Sequence, residues 1–429
     1  MELTTIKVFS TKNLLNIFFC FLPVSFIAGN LVINLNLLLI IILSSIFYGK
    51  NIISSKFFLI DRLIIFFFLF TFIVGLFNSL NVYDAGTNFK DNLILKKSIF
   101  FFKYLFFYFC IKTLVEKDIL NFKFFFLSCG VCVIFVSLDL VYQLIFNKDI
   151  FGFERIDHKL SGPFGEEQIA GGYLQKFSFF VFFLFFILDR KLEKKTLSAI
   201  LVGLFMIISF SVLISGNRMP IVMYLLSWFF LFLLEKDIRK YFIIFLILTL
   251  IFVIFIFWNV EQVKMNILNF YSMLSQIFNF LPQLFGANET LNFPNTYIKE
   301  LYSGYATWKT NIIFGGGIES FHINCSKILN SCSSHPHNYY LEILSETGLV
   351  GLVSVCLIFL YILYISIVKK FILNTHFQNN YLISPFAIMF LIEIFPIKTS
   401  GSFFTTGNAT YLFFIMAVIV GLYRRPHLN

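Results

Sequence analysis

In the stretch Ser334-His335-Pro336-His337-Asn338-Tyr339-Tyr340-Leu341-Glu342-Ile343-Leu344-Ser345-Glu346-Thr347-Gly348-Leu349, a tight polar turn gives way to a long apolar run. A residue before proline is pushed out of the α region, so His335-Pro336 does not continue a helix. Asn338 follows as a good N-cap, with the apolar run behind it. From Tyr339 to Val368 the chain is long and apolar enough to cross a bilayer, whose hydrocarbon is about 30 Å thick. His337 is therefore expected at the mouth of a membrane helix. Asn338, Glu342 and Glu346 recur every fourth residue and share one helix face. Carboxylates in the first turns of a span do not face lipid, so they imply a protein-lined, hydrated site.

The rest of the chain agrees with a membrane setting. Of its 429 residues 59% are hydrophobic, 20% aromatic and only 13% charged, where a soluble domain is about one quarter charged. The 64 Phe read mainly as lipid-facing filler. A net charge of +10 is no nucleic-acid signal here, because most Lys and Arg lie in short loops between apolar segments, as the positive-inside rule requires. The first apolar segment begins near Leu14 without a small-residue cleavage site, so no cleavable signal peptide is expected. Cys20, Cys110, Cys129, Cys132 and Cys356 fall in apolar segments as packing residues. Cys325 and Cys332 stand in the long polar loop and read as a disulfide, two free thiols being the alternative.

These patterns predict an all-α polytopic membrane protein: about twelve transmembrane helices and one long periplasmic loop carrying short helices. Residues 1–258 hold about nine spans, 259–340 the loop, and 341–429 about three more spans. Gly29-Asn30 turns tightly between the first two. Basic clusters at Lys7 and Lys12, Lys50 and Lys56, Arg190 to Lys195, Lys369-Lys370 and Arg424-Arg425 put both termini in the cytoplasm. Lys96, Lys97 and Lys103 depart from that pattern, either snorkelling or lining a place for an anionic lipid head group. Asp139, near the outer end of its span, reads as a site residue or a cap. An outer loop from Asn147 to Gln168 carries Arg155, Asp157 and His158. In the long loop, Ile267, Phe270, Tyr271, Leu274, Ile277, Phe278 and Leu281 predict an interfacial amphipathic helix ending at Leu281-Pro282. A second helix is predicted over Thr296 to Ile313, broken by Gly315-Gly316-Gly317.

Ser215-Gly216-Asn217-Arg218-Met219-Pro220 opens another helix, with Pro220 suited to its first turn. The topology places Arg218 and His337 on the same outer side, each at a helix N-terminus. Such termini offer partial positive charge and free amides. Two of them with an Arg suit a phosphate or diphosphate. On the residues alone, Arg218 also suits an interfacial anchor and His337 a structural cap.

His-Pro-His-Asn followed by Tyr-Leu-Glu-Ile-Leu-Ser-Glu-Thr-Gly-Leu-Val-Gly resembles the signature of the O-antigen ligase and O-antigen polymerase superfamily. Ser215-Gly216-Asn217-Arg218 and the segment from Leu160 to Leu174 are similar to further stretches of it. The resemblance implies a metal-independent, inverting membrane glycosyltransferase without cofactor. Its donor would be an undecaprenyl-diphosphate-linked glycan and its acceptor a hydroxyl on lipid A core or a growing glycan. The reaction would take place at the periplasmic face of the bacterial inner membrane. These motifs do not separate ligase from polymerase. Carried over, His337 orients or deprotonates the acceptor hydroxyl, and Arg218 binds the diphosphate and its leaving charge. Glu342 is assigned, as our own reading, to fixing the His337 tautomer or steadying a neighbouring Arg.

The superfamily's second Arg, shortly before a Trp in the long loop, is missing from Tyr302-Ser303-Gly304-Tyr305-Ala306-Thr307-Trp308. Lys299, Lys309 or Arg155 is left to supply that charge, although Lys is no equivalent fork donor. The candidate substrate contacts are thus Arg155, His335, Asn338 and Lys309. No metal site is expected, since Pro336 splits the His pair and no helical ligand pair exists. P-loop, dinucleotide and Gly-x-Ser-x-Gly signatures are missing too. A transporter of lipid-linked glycans is the rival reading, but the polar residues gather at helix ends and not at the midplane. A scaffold would leave Glu342 and Glu346 without purpose.

Overall fold

The computed structural model describes residues 11–83, 93–155, 159–187, 194–236, 239–285, 296–329, 332–373, 381–399 and 401–425. The expectations placed on Lys7, Asp157, His158 and Arg190 fall outside them. Among the described residues the regular structure is helical, apart from one isolated bridge between Lys148 and Glu154. Helices α1 (Thr11–Cys20) and α2 (Leu22–Ala28) form a pair bent by 44°. Then come α3 (Asn30–Ile53), α4 (Leu59–Tyr83), α5 (Leu93–Glu116) and α6 (Phe122–Phe146). They are followed by α7 (Ala170–Ile187), α8 (Lys194–Ile214), α9 (Arg218–Leu234) and α10 (Arg239–Asn259). A 105° break leads into α11 (Glu261–Phe285). The polar region contributes α12 (Thr296–Trp308) and α13 (Phe321–Cys325), and the chain re-enters the bundle as α14 (Tyr339–Leu363), α15 (Ile383–Glu393) and α16 (Thr406–Tyr423).

Among the described residues six helices are long and apolar enough to cross a membrane, or up to eight segments if each bent pair is one span. Ala199–Ile214, Arg218–Leu234 and Ile383–Glu393 are apolar but shorter. The expected twelve crossings include these shorter helices, of which Ile383–Glu393 is short enough to suit a buried core as well as a membrane. Two boundaries also differ. Helix α11 runs through Pro282 to Phe285. Helix α12 stops at Trp308, where Thr310 N and Asn311 N bond to Thr307 O and Trp308 O at 3.1 Å each and tighten the chain into turns.

The centre of the bundle is α16, with every residue from Ala409 to Leu422 buried. A helix that is apolar all round belongs in an interior. Phe414 meets Phe19, Phe125 and Phe386, and Phe413 meets Phe68, Phe101 and Tyr104, with ring centroids 5.1–6.1 Å apart. Aromatic pairs of this kind add about 0.5–1.5 kcal/mol each beyond area burial. Phenylalanine is therefore a packing residue here as well as a lipid-facing one, of which Phe77 and Phe100 are exposed examples. Composition cannot separate the two uses.

Buried ions join α4, α5 and α16 at the end where α16 finishes. Asp61 and Lys112 are fully buried and pair at 2.8 Å. Tyr108 Oη donates to Asp61 Oδ1 at 3.0 Å, and Phe58 N to Oδ2 at 2.9 Å. Arg424 lies 3.7 Å from the same carboxylate.

Helix α14 opens the expected span, which runs from Tyr339 to Ile372, but its winding is interrupted. At Gly348, with φ 65° and ψ −167°, its winding breaks. Residues 312–317 enter the break. Gly316 N and Gly317 N donate to Ser345 O and Glu346 O at 3.1 and 2.7 Å, while Leu349 N and Val350 N donate to Ile312 O and Ile313 O at 2.9 and 3.2 Å. Backbone groups freed where water is scarce must find such partners. Glu346 Oε1 adds a bond from Glu319 N at 3.0 Å.

A Cβ on Gly348 would lie 2.2 Å from Ile313 O, in a conformation that side chains rarely adopt. Gly348→Ala is expected to cost at least about 3 kcal/mol, read as a fall in thermal midpoint in detergent; an unchanged midpoint would contradict the seam. Lys112→Met leaves Asp61 buried without its ammonium and is expected to cost about 3–5 kcal/mol, with the Asp61→Asn/Lys112→Met pair recovering most of it. Additive losses in that double-mutant cycle would show that the pair is not coupled.

Candidate active site

Where α3, α7, α9 and α16 begin, their first turns enclose a cavity of about 410 Å³. Gly29 and Asn30 come from the α3 start, Gly172 and Tyr173 from α7, Arg218 and Met219 from α9, and Gly407 and Asn408 from α16. Each start brings unsatisfied amides and partial positive charge. Lys159, Lys176, Arg218 and Lys398 line the same space, against a single lining carboxylate, Glu167, among the described residues. The cavity is built to attract anions.

Local hydrogen bonding sets these side chains in place. Asn217 Oδ1 accepts from Gly171 N at 3.1 Å and its Nδ2 donates to Gln168 O at 2.8 Å, clasping the starts of α7 and α9 together. Arg218 Nη1 rests 3.4 Å from Met273 Sδ of α11. Glu393 is fully buried between two ammonium groups, Lys398 at 2.7 Å and Lys176 at 3.7 Å. Tyr339 Oη donates to it at 2.6 Å, and Lys176 donates to Asn408 Oδ1 at 2.6 Å. One carboxylate between two cations leaves positive charge over for the cavity.

His337 stands beside this cavity and does not line it. Asn338 caps α14, accepting from Tyr340 N and Leu341 N at 3.0 and 3.2 Å, and its Nδ2 donates to Pro396 O at 2.9 Å. Pro396 is two residues before Lys398, and Tyr339 reaches Glu393, so the turn and the cavity rim are tied twice. The turn itself is tight, with His337 at φ 51°, in the left-handed region. Its Nε2 lies 3.5 Å from Glu300 Oε1 of α12. The His335 ring packs on the His337 ring with centroids 4.1 Å apart, and Ser334 Oγ meets His335 Nδ1 at 2.9 Å. Burial, helped by neighbouring His337, pushes the His335 imidazole down to about 4.

Several expected site residues sit elsewhere. Glu342 is buried, but its carboxylate is taken by Ser402 Oγ and by Phe403 N, the latter at 2.5 Å. It holds the loop before α16 and touches neither His337 nor an Arg, and Glu300 occupies the place expected of it. Arg155 is exposed, its backbone N bonded to Asn147 O at 3.2 Å, and does not line the cavity. Lys309 is exposed over the Tyr305 ring at 4.6 Å and is likewise outside. Lys159, Lys176 and Lys398 stand where those cations were sought. Two of the missed residues carried a signal, because Lys176 and Glu393 are the lone charges of α7 and α15, and an ionisable group in an apolar helix is a functional candidate by default. Lys103 donates to Asn34 Oδ1 at 2.6 Å, and Asp139 accepts from Ile150 N at 2.9 Å as a loop cap. Cys325 and Cys332 are joined as a disulfide, with Cα atoms 6.1 Å apart.

These features define a multi-pass, all-helical membrane protein with an anion-attracting cavity at one end of its bundle. Residues 203–356 match the family described as O-antigen ligase. The match supports the resemblance to the O-antigen ligase and polymerase superfamily, and the matched residues include Arg218, Glu300 and His337. No curated protein matches the chain.

A neutral His335 has a consequence for acid stability. Its value in the fold lies below the ordinary 6.5, so the unfolded chain binds the proton more readily. The stability contributed by the neutral ring is present above pH 6.5 and is lost as pH falls toward 4. The thermal midpoint is expected to drop more over that window in the unaltered protein than in His335→Gln; equal drops would remove His335 as the cause.

Proposed function

We propose that this chain is a glycosyltransferase of the O-antigen ligase type. It moves a glycan from a polyprenyl-diphosphate carrier to an acceptor hydroxyl, on lipid A core or a comparable glycan, at the periplasmic face of the inner membrane. The observation that carries this reading is the cavity, where four helix starts and four cationic side chains converge. Such a setting suits a diphosphate.

The acceptor oxygen bonds to the anomeric carbon as the bond from that carbon to the diphosphate oxygen breaks on the opposite face, which inverts the centre. The acceptor's proton passes to His337. The polyprenyl diphosphate leaves as an anion, its charge stabilised by Arg218, Lys176 and Lys398. In this reading the two buried lysines take over from the missing loop Arg. They act as point charges and not as a planar fork.

The test is transfer by the purified protein in lipid nanodiscs, given a polyprenyl-diphosphate-linked glycan and either lipid A core or a second lipid-linked glycan. Asn tolerates the left-handed backbone of residue 337, so His337→Asn isolates the imidazole. It is expected to lower kcat about 10²–10⁴-fold with donor KM little changed. Arg218→Gln is expected to raise donor KM, and inorganic pyrophosphate to compete with the donor. Full turnover by His337→Asn would remove its role, and failure of pyrophosphate to compete would remove the cavity's. Product on lipid A core marks a ligase, and a lengthened glycan on the carrier marks a polymerase.

A further inference from the structure

Helix α12 is seated directly on the His335-Pro336-His337 turn. A Cβ on Gly304 would lie 2.8 Å from Pro336 Cβ and 3.0 Å from Leu341 Cβ, so the contact admits only a hydrogen there. Glu300 is four residues earlier, on the same helix face. Its Oε1 lies 3.5 Å from His337 Nε2 and accepts from Ser333 Oγ at 3.1 Å. Ser333 follows Cys332, which is bonded to Cys325 at the end of α13. The Ser333 carbonyl meets His322 Nδ1 at 3.2 Å. The carboxylate is thus fixed from two sides, by the seat of its own helix and by the disulfide-closed loop. The Glu300 side chain is only 13% exposed, so its charge acts on the imidazole with limited screening by water.

We infer that Glu300 is a positioning residue for His337, and that the Cys325–Cys332 loop holds Glu300 in register through Ser333. The inference rests on the reading of His337 as proton acceptor. A carboxylate beside Nε2 favours the tautomer that carries its hydrogen there. Nδ1 is then left with the lone pair that takes the acceptor's proton. The imidazolium formed in that step is stabilised by the Glu300 carboxylate beside it. The superfamily resemblance did not point to Glu300, and the sequence assigned the role to Glu342.

A purely structural pin between α12 and the turn makes a different forecast. Gln keeps the size of Glu and can accept the same Ser333 hydroxyl, so a pin would survive Glu300→Gln with kcat intact. Positioning instead forecasts a kcat about 10²-fold lower, with KM for both substrates within about two-fold and an unchanged thermal midpoint. Glu300→Asp should restore part of the loss, and Cys325→Ser/Cys332→Ser should lower kcat several-fold.

A second readout needs no turnover. In ¹⁵N-histidine-labelled protein, with the His337 signals assigned by their loss in His337→Asn, the ring nitrogens should report hydrogen on Nε2. In Glu300→Gln they should shift toward a mixture. Unchanged ring signals, or unaltered kcat in Glu300→Gln, overturns the inference. Full turnover by His337→Asn would overturn the reading of the site instead, while the ring signals would still report on Glu300.

Discussion

A polypeptide in hydrocarbon has no water to fall back on, and the broken helix α14 shows how this chain meets that constraint. The turn at Gly348 frees two carbonyls and two amides, and residues 312–317 return two amides and two carbonyls to them. The exchange makes the segment before α13 part of the bundle. It fixes where α12 ends, and so where Glu300 and Gly304 meet the His335-Pro336-His337 turn. Glu346 strengthens the same seam through Glu319 N, and Glu319 in turn pairs with Lys97 of α5 at 2.7 Å. Loop and membrane helices thereby share one framework.

Charge is distributed over that framework unevenly. Where α16 ends, Asp61, Lys112, Arg424 and Glu116 come close to mutual compensation. Where α16 begins, Glu393 faces both Lys176 and Lys398, and the helix starts add further positive potential. The first arrangement locks helices together. The second leaves a surplus of positive charge at the cavity.

Much of this was legible in the amino-acid order. Pro336, Asn338 and the apolar run behind them announced the turn, the cap and the helix, since each acts through neighbours in sequence. Arg218 was found the same way, through the turn before it. Contacts distant in sequence were not legible. Glu342 was the nearest acid to His337 along its helix face, yet the α15–α16 loop folds over and takes its carboxylate, while Glu300 arrives from thirty-seven positions upstream. Lys176 and Glu393 stood out as isolated charges, but nothing in the order of residues shows that they face each other. The number of crossings was less legible for a related reason: an apolar run states its preference for a dry place without stating how far it reaches.

Arg218 and its neighbours store their charge in different ways. Lys176 and Lys398 share a carboxylate, whereas the Arg218 guanidinium leans on the thioether of Met273. A thioether is a weak acceptor that shields without neutralising. Among the described residues Arg218 has no ion pair, so on the proposed reading a phosphate would displace only this soft contact. Met273 belongs to the amphipathic helix beyond the 105° bend, so α11 reaches back over this cation.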